Sequence, residues 1–195
     1  MPPKNAGGKC GRSDNAIAMG IFINLFELVK TIALVLVLSF LIRTFLLQTF
    51  VVQGKSMEPN FYNRDYLLVD KLSYRVTQPK RGQIVVFRDP ENRKIDFVKR
   101  IIGLPGERIR ITNSTVFVND KSLQEPYLEG HATQADTPDF NITLSDHQFF
   151  VMGDNRENSL DSRRIGPIEG SDILGRVFLR AFPLDRLTLI NSVTT

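Results

Sequence analysis

From Thr31 to Gly54 the chain reads TIALVLVLSFLIRTFLLQTFVVQG, with Arg43 as its only charged residue. About 20 apolar residues in a helix cross a hydrocarbon core of about 30 Å, so this run predicts a transmembrane anchor. A cleaved signal peptide would have a shorter apolar region followed by small residues at a cleavage site. Phe-Val-Val-Gln-Gly-Lys offers no such site, and the run reads as an uncleaved anchor. Arg43 is expected near the outer end, its guanidinium extended to the headgroups; a part in substrate handling is the alternative. Lys4, Lys9, Arg12 and Lys30 precede the run, partly offset by Asp14 and Glu27. The positive-inside tendency then puts the amino terminus in the cytoplasm and the rest outside, although Lys55 and Arg64 pull the other way.

An anchor divides what remains. Residues 1–16 are polar, with Pro, Gly and basic residues, and read as a disordered cytoplasmic leader. Residues 17–49 read as an interfacial segment, apolar at helical spacing, followed by the anchor. Residues 50–190 form the extracytoplasmic domain, long enough for a core of its own. Cys10 is the only cysteine, so neither an intrachain disulfide nor a thiolate metal cluster can form; it reads as an incidental tail residue, with lipidation as the alternative. The net charge of +4 raises nucleic acid as a partner. Lys and Arg are spread along the chain rather than gathered in a stripe, however, and the charge suits an anionic bilayer surface at least as well.

Beyond the anchor the hydrophobic period shortens to that of strands. LLVDKL, QIVVF, DFVKRII, RIRI, TVFVN and QFFVMG are β-branched and aromatic runs, separated by Gln-Pro, Arg-Gly, Asp-Pro, Leu-Pro-Gly and Gly-Asp-Asn. The expected fold is mainly antiparallel β. Residues near 107–146 are expected as a small cap or insertion, much of it polar and Pro-containing.

Two histidines could serve a serine nucleophile. His131 lies in a polar stretch and His147 at the start of an apolar run; neither has the setting of a fixed base, and the pair lacks metal-ligand spacing. No metal or organic cofactor is expected. Lys99 is less ordinary. Strand side chains alternate faces, so Lys99 shares one with Ile95, Phe97 and Ile101. It is either an edge lysine whose stem covers apolar surface or a buried amine of lowered pKa. A lysine of the second kind can take a proton from a serine hydroxyl near neutral pH. Among the serines beyond the anchor, Ser56 lies in Gly54-Lys55-Ser56-Met57-Glu58-Pro59, a turn directly after the apolar run. An ordinary turn serine fits that setting equally well.

In order along the chain stand the anchor, Gly54–Pro59, Asp65-Tyr66-Leu67-Leu68-Val69-Asp70-Lys71, Arg81-Gly82-Gln83-Ile84-Val85-Val86-Phe87, Val98–Glu107 and Gly153–Arg163. In these blocks and their order, from about Val29 to Ala181, the chain resembles the bacterial type I signal peptidases of the short form. The resemblance implies a membrane-anchored serine endopeptidase that removes signal peptides from exported preproteins after Ala-x-Ala-like sequences. It would be a single-pass protein of the bacterial plasma membrane, with preprotein signal peptides, the bilayer and the secretion translocon as partners. Ser56 would be nucleophile and Lys99 general base, with the Ser56 N–H in the oxyanion hole. Ser159 would hydrogen-bond and orient the lysine, and Asp161 with Arg163 would brace the loop. Val52, Met57, Phe61 and Phe97 would line shallow pockets for small side chains. One departure is Gly54, where some relatives carry a serine whose hydroxyl is a second oxyanion donor. Rival readings are a membrane-tethered β module that binds partners without catalysis, a self-cleaving Ser/Lys repressor-like protease, and a peptidase dedicated to few precursors.

Overall fold

The computed structural model describes residues 25–40, 47–128 and 139–190. The leader, Cys10, the start of the interfacial segment, Arg43 and His131 lie outside the described residues. The chain divides into two units, Met1–Thr44 and Phe45–Thr195. In the first, residues 25–40 are α-helical (α1), with Lys30 Nζ 2.7 Å from a carboxylate oxygen of Glu27 one turn earlier. Among the described residues no helix is long and apolar enough to cross a membrane.

The apolar run does not stay helical to its end. Leu47–Val51 is a strand, β1, paired antiparallel with β2 (Tyr66–Asp70) in the register Leu47↔Asp70 to Val51↔Tyr66. The expected anchor boundary at residue 49 therefore falls inside a strand. Hydropathy scores side chains, and it cannot register that the backbone here finds its hydrogen bonds in a neighbouring strand rather than in a helix.

The second unit is mainly antiparallel β. Its larger sheet runs β1, β2, β11 (Ile173–Phe182), β3 (Ile84–Arg88), β4 (Asp96–Gly103), β9 (Gln148–Met152) and β10 (Ile168–Glu169), with β12 (Thr188–Leu189) beside β11. A second sheet orders β7 (Lys121–Ser122), β6 (Thr115–Val118), β5 (Arg108–Thr112) and β8 (Phe140–Thr143). Strand β3 is buried on both faces: Ile84 and Val86 join Met57, Phe61 and Leu67, while Val85 and Phe87 join Ile101, Val151 and Ile168. Strand β9 divides likewise. Phe149 and Val151 enter the latter cluster, and Phe150 and Met152 pack on Ile109, Ile111 and Val116 of the second sheet. Period-2 alternation thus serves three cores, and the region expected as a polar cap carries an apolar face of its own.

The useful consequence is at β4. Opposite β3 its pairing is complete from Asp96 to Arg100, but β9 joins the other edge only from Arg100. Ile101 N–H donates to Gln83 C=O. By antiparallel alternation the odd residues of β4 face β3, and Asp96 and Val98 turn their backbone groups to the open edge.

Candidate active site

The turn after β1 is held by its own backbone. Val52 N–H donates to Asp65 C=O, Arg64 N–H to Val52 C=O and Phe61 N–H to Met57 C=O, all within 2.9 Å. Gly54 sits at φ 94°, a backbone region that favours glycine. Its N–H is engaged by Asn63 Oδ1 at 3.1 Å. Met57 and Phe61 are anchored in the core, so Ser56 is pinned from both sides and faces a groove.

Across the groove stands Lys99. Its Nζ lies 2.7 Å from Ser56 Oγ and 5.4 Å from the centre of the Phe97 ring. Lys99 is 2% exposed, which an edge lysine that reaches water would not be. Burial disfavours the ammonium and lowers the pKa to about 8, against the opposing pull of the Asp161 and Asp154 carboxylates. The Lys99 amine is thus distributed near neutral pH between a charged form and a form able to accept a proton.

Behind the pair lies the loop after β9. Asn155 N–H donates to the Ser56 carbonyl at 3.0 Å. Asp161 is wholly buried; it accepts from Gly153 N–H at 2.9 Å and from Arg163 Nε and Nη2 at 2.9 and 2.8 Å. Burial works against its charge, but these donors hold the carboxyl below the usual range. The hydrogen bond expected from Ser159 to Lys99 is not formed: Ser159 Oγ is buried without a hydrogen-bond partner. It lies near enough to Asp161 to favour the ionised carboxylate. Gly153 explains the crowding, because a Cβ there would come within 2.4 Å of the Ser56 carbonyl oxygen. Gly153→Ala must therefore push the Ser56 backbone aside. The expected result is about a hundredfold loss in kcat with KM little changed, checked by steady-state kinetics beside a circular dichroism melt.

A further buried network, absent from the sequence reading, secures the same loop. Arg100 grips Asp154 through Nε and Nη2 at 2.8 and 2.6 Å. Asn60 Nδ2 donates to Asp154 and to Tyr127 C=O, both at 2.9 Å. Arg156 pairs with Glu125. An arginine at an even position of β4, beside the unusual lysine and among large apolar residues, was the available signal.

The groove at Ser56 encloses about 330 Å³ and is lined by Val52, Met57, Val86, Ile95, Phe97 and Lys99 among others. Phe61 does not line it. That ring is wholly buried with Leu67 and Val69, because the turn folds it under Ser56 rather than beside it. His147 is exposed in the turn just before β9, and the depression it lines shares no residue with the Ser56 groove. Among the described residues no group of three or more His, Cys, Asp or Glu could hold a metal ion.

Comparison with known proteins agrees across sequence and family. Residues 25–182 match the family model described as signal peptidase, peptidase S26. The chain is 42% identical to signal peptidase I P of Bacillus subtilis subsp. natto over 172 residues, 84% of this chain and 92% of that one. It is 38% identical to the probable signal peptidase I-2 of Synechocystis over 84% of this chain and 76% of that one. A signal peptidase I structure from Enterococcus faecalis V583 aligns at 32% identity with a TM-score of 0.46, covering 52% of this chain and 97% of that one.

Proposed function

The chain belongs to the signal peptidase family, peptidase S26, and is a serine peptidase; from that premise we propose that Ser56 is its nucleophile and Lys99 its general base. The observation that carries this reading is the 2.7 Å contact between a buried amine of lowered pKa and a hydroxyl on a fixed turn. Lys99 as neutral amine takes the Ser56 proton while Oγ attacks the scissile carbonyl. The oxyanion that forms is met by the Ser56 N–H, which no hydrogen bond engages among the described residues. Gly54 offers neither a hydroxyl nor a free N–H in this role. The Lys99 ammonium then protonates the leaving amine, the C–N bond breaks, and water repeats the sequence to release the acyl group. Asp161, Arg163 and Ser159 act through position: the first two hold the loop whose Asn155 N–H donates to Ser56 C=O, and Ser159 fills the space beside it.

The substrate is the signal peptide of an exported preprotein, lying extended on the open edge of β4. There Asp96 and Val98 would supply main-chain pairing. Val52 and Met57, each nearly wholly buried, leave shallow walls beside Phe97, and shallow walls admit Ala-like side chains only. The apolar run beginning at Thr31 anchors the enzyme in the bacterial plasma membrane, amino terminus in the cytoplasm and peptidase domain outside. There it meets cleavage sites as they leave the translocon.

The test is cleavage of a preprotein with an Ala-x-Ala site by detergent-solubilised protein. Wild type is expected to cut after the second Ala; Ser56→Ala is not, and Phe in place of that Ala is expected to stop cleavage by wild type. Persistent cutting by Ser56→Ala would end the assignment.

A further inference from the structure

The groove accounts for residues before the scissile bond but leaves those after it without a path. A peptide laid on the edge of Asp96–Val98 cannot continue past Lys99 in the sheet, because β9 occupies that edge from Arg100, where Met152 pairs. Beneath the turn lie Met57 and Phe61, wholly buried. The opening that remains runs between the turn Ser56–Pro59 and the loop Asn155–Asn158, which touch where Asn155 N–H meets Ser56 C=O. A second cavity of about 320 Å³ lies there, lined by Glu58, Pro59, Tyr62, Asn155, Glu157 and Asn158 among others.

The charges around this cavity do not balance. Asp154 is neutralised by Arg100, and Arg156 by Glu125. Glu58 and Glu157 have no ion pair or side-chain hydrogen bond among the described residues. We infer that this cavity receives the first residues of the mature protein, and that Glu58 and Glu157 select a basic side chain there. The inference rests on Ser56 being the nucleophile. The scissile carbonyl bound at Oγ puts the next two or three residues over Glu58, two positions along the same turn. A lysine or arginine there gains two carboxylates; an acidic residue meets two like charges in a partly enclosed space.

Preproteins identical except for Lys, Gln or Glu at the second and, separately, the third residue after the cleavage site test this. For wild type, kcat/KM is expected to favour Lys over Glu about tenfold at one of these positions, as two partly exposed charge contacts allow. The ratio is expected to fall towards one in Glu58→Gln/Glu157→Gln, and to shrink at about 1 M salt, where screening is short-ranged. Glu58→Lys alone is expected to turn the preference towards Glu. Glu91→Gln, in the exposed turn before β4, is the control and keeps the wild-type ratio. A ratio near one at both positions in wild type, or one that survives the double substitution, overturns the subsite. A wild type that leaves the Gln preprotein uncut overturns the peptidase reading instead, and the subsite with it.

Discussion

Lys99→Ala and Lys99→Arg are both expected to lower kcat on the order of 10⁴-fold, the scale at which loss of one member disables a nucleophile–base unit. The arginine variant is the sharper of the two. It keeps a cation beside Ser56, but a guanidinium does not give up its proton in a protein, so it cannot act as the base. Wild-type kcat/KM should rise with pH, tenfold per unit on the acid side and half-maximal near 8, because the active form is the neutral amine. Activity retained in Lys99→Arg, or a limb near 6.5 in its place, would return attention to a histidine.

The same burial fixes a pH dependence of stability. The unfolded lysine titrates near 10.4 and the folded one near 8. Below about 8 both states are charged, and the folded state carries the full cost of the buried ammonium. Between about 8 and 10.4 the unfolded state binds more protons, so stability rises with pH through that window. Lys99→Met removes the buried charge and is expected to stabilise the fold by roughly 2–3 kcal/mol at pH 7 while abolishing activity. A melt that moves down would argue against a desolvated amine.

How much of this was legible in the sequence depends on how local each signal is. Strands β2 to β6 and β9 could be read because short β-branched runs between turn residues are local features. Strand β11 could not. Ile-Leu-Gly-Arg-Val-Phe-Leu-Arg-Ala-Phe breaks alternation where its register shifts against β2 and β3. Its Gly175 looks like an interruption, although a Cβ there would come within 2.5 Å of Asp70 C=O. Strand β8 was hidden in a polar stretch because its pairing with β5 supplies what its side chains do not announce. The setting of Lys99 among Phe97 and Ile101 followed from period alone, but nothing in the spacing of residues 56 and 99 states that their side chains meet. That required the resemblance, or coordinates. Phe61 shows the opposite failure: an aromatic near Ser56 in sequence can face either groove or core, and the turn decides.

Asp154→Ala is expected to destabilise the protein by about 3–5 kcal/mol, because it strands the Arg100 guanidinium where both side chains of the pair are almost fully buried. The loss should not be confined to one ion pair. Arg100 also donates to Gly82 C=O and stacks over the Tyr127 ring at 4.0 Å, and Asp154 holds Asn60 at the end of the Ser56 turn. Removal of the carboxylate therefore loosens β4, the loop after β9 and the Ser56 turn together. Pairing Asp154→Leu with Arg100→Met should recover most of the stability, since well-packed apolar residues can replace a buried ion pair. Urea melts of the four proteins in this cycle would measure a coupling of at least about 2 kcal/mol if the pair acts as a unit. Activity reports a separate quantity. Asp154 raises the Lys99 pKa through its charge, so the milder Asp154→Asn should move the acid limb of kcat/KM below 8 even where enough folded enzyme remains to assay. A limb that stays in place, with the melt lowered, would confine Asp154 to scaffolding. A shift in the predicted direction would show that the network bracing the nucleophile also sets the pH at which its base is ready.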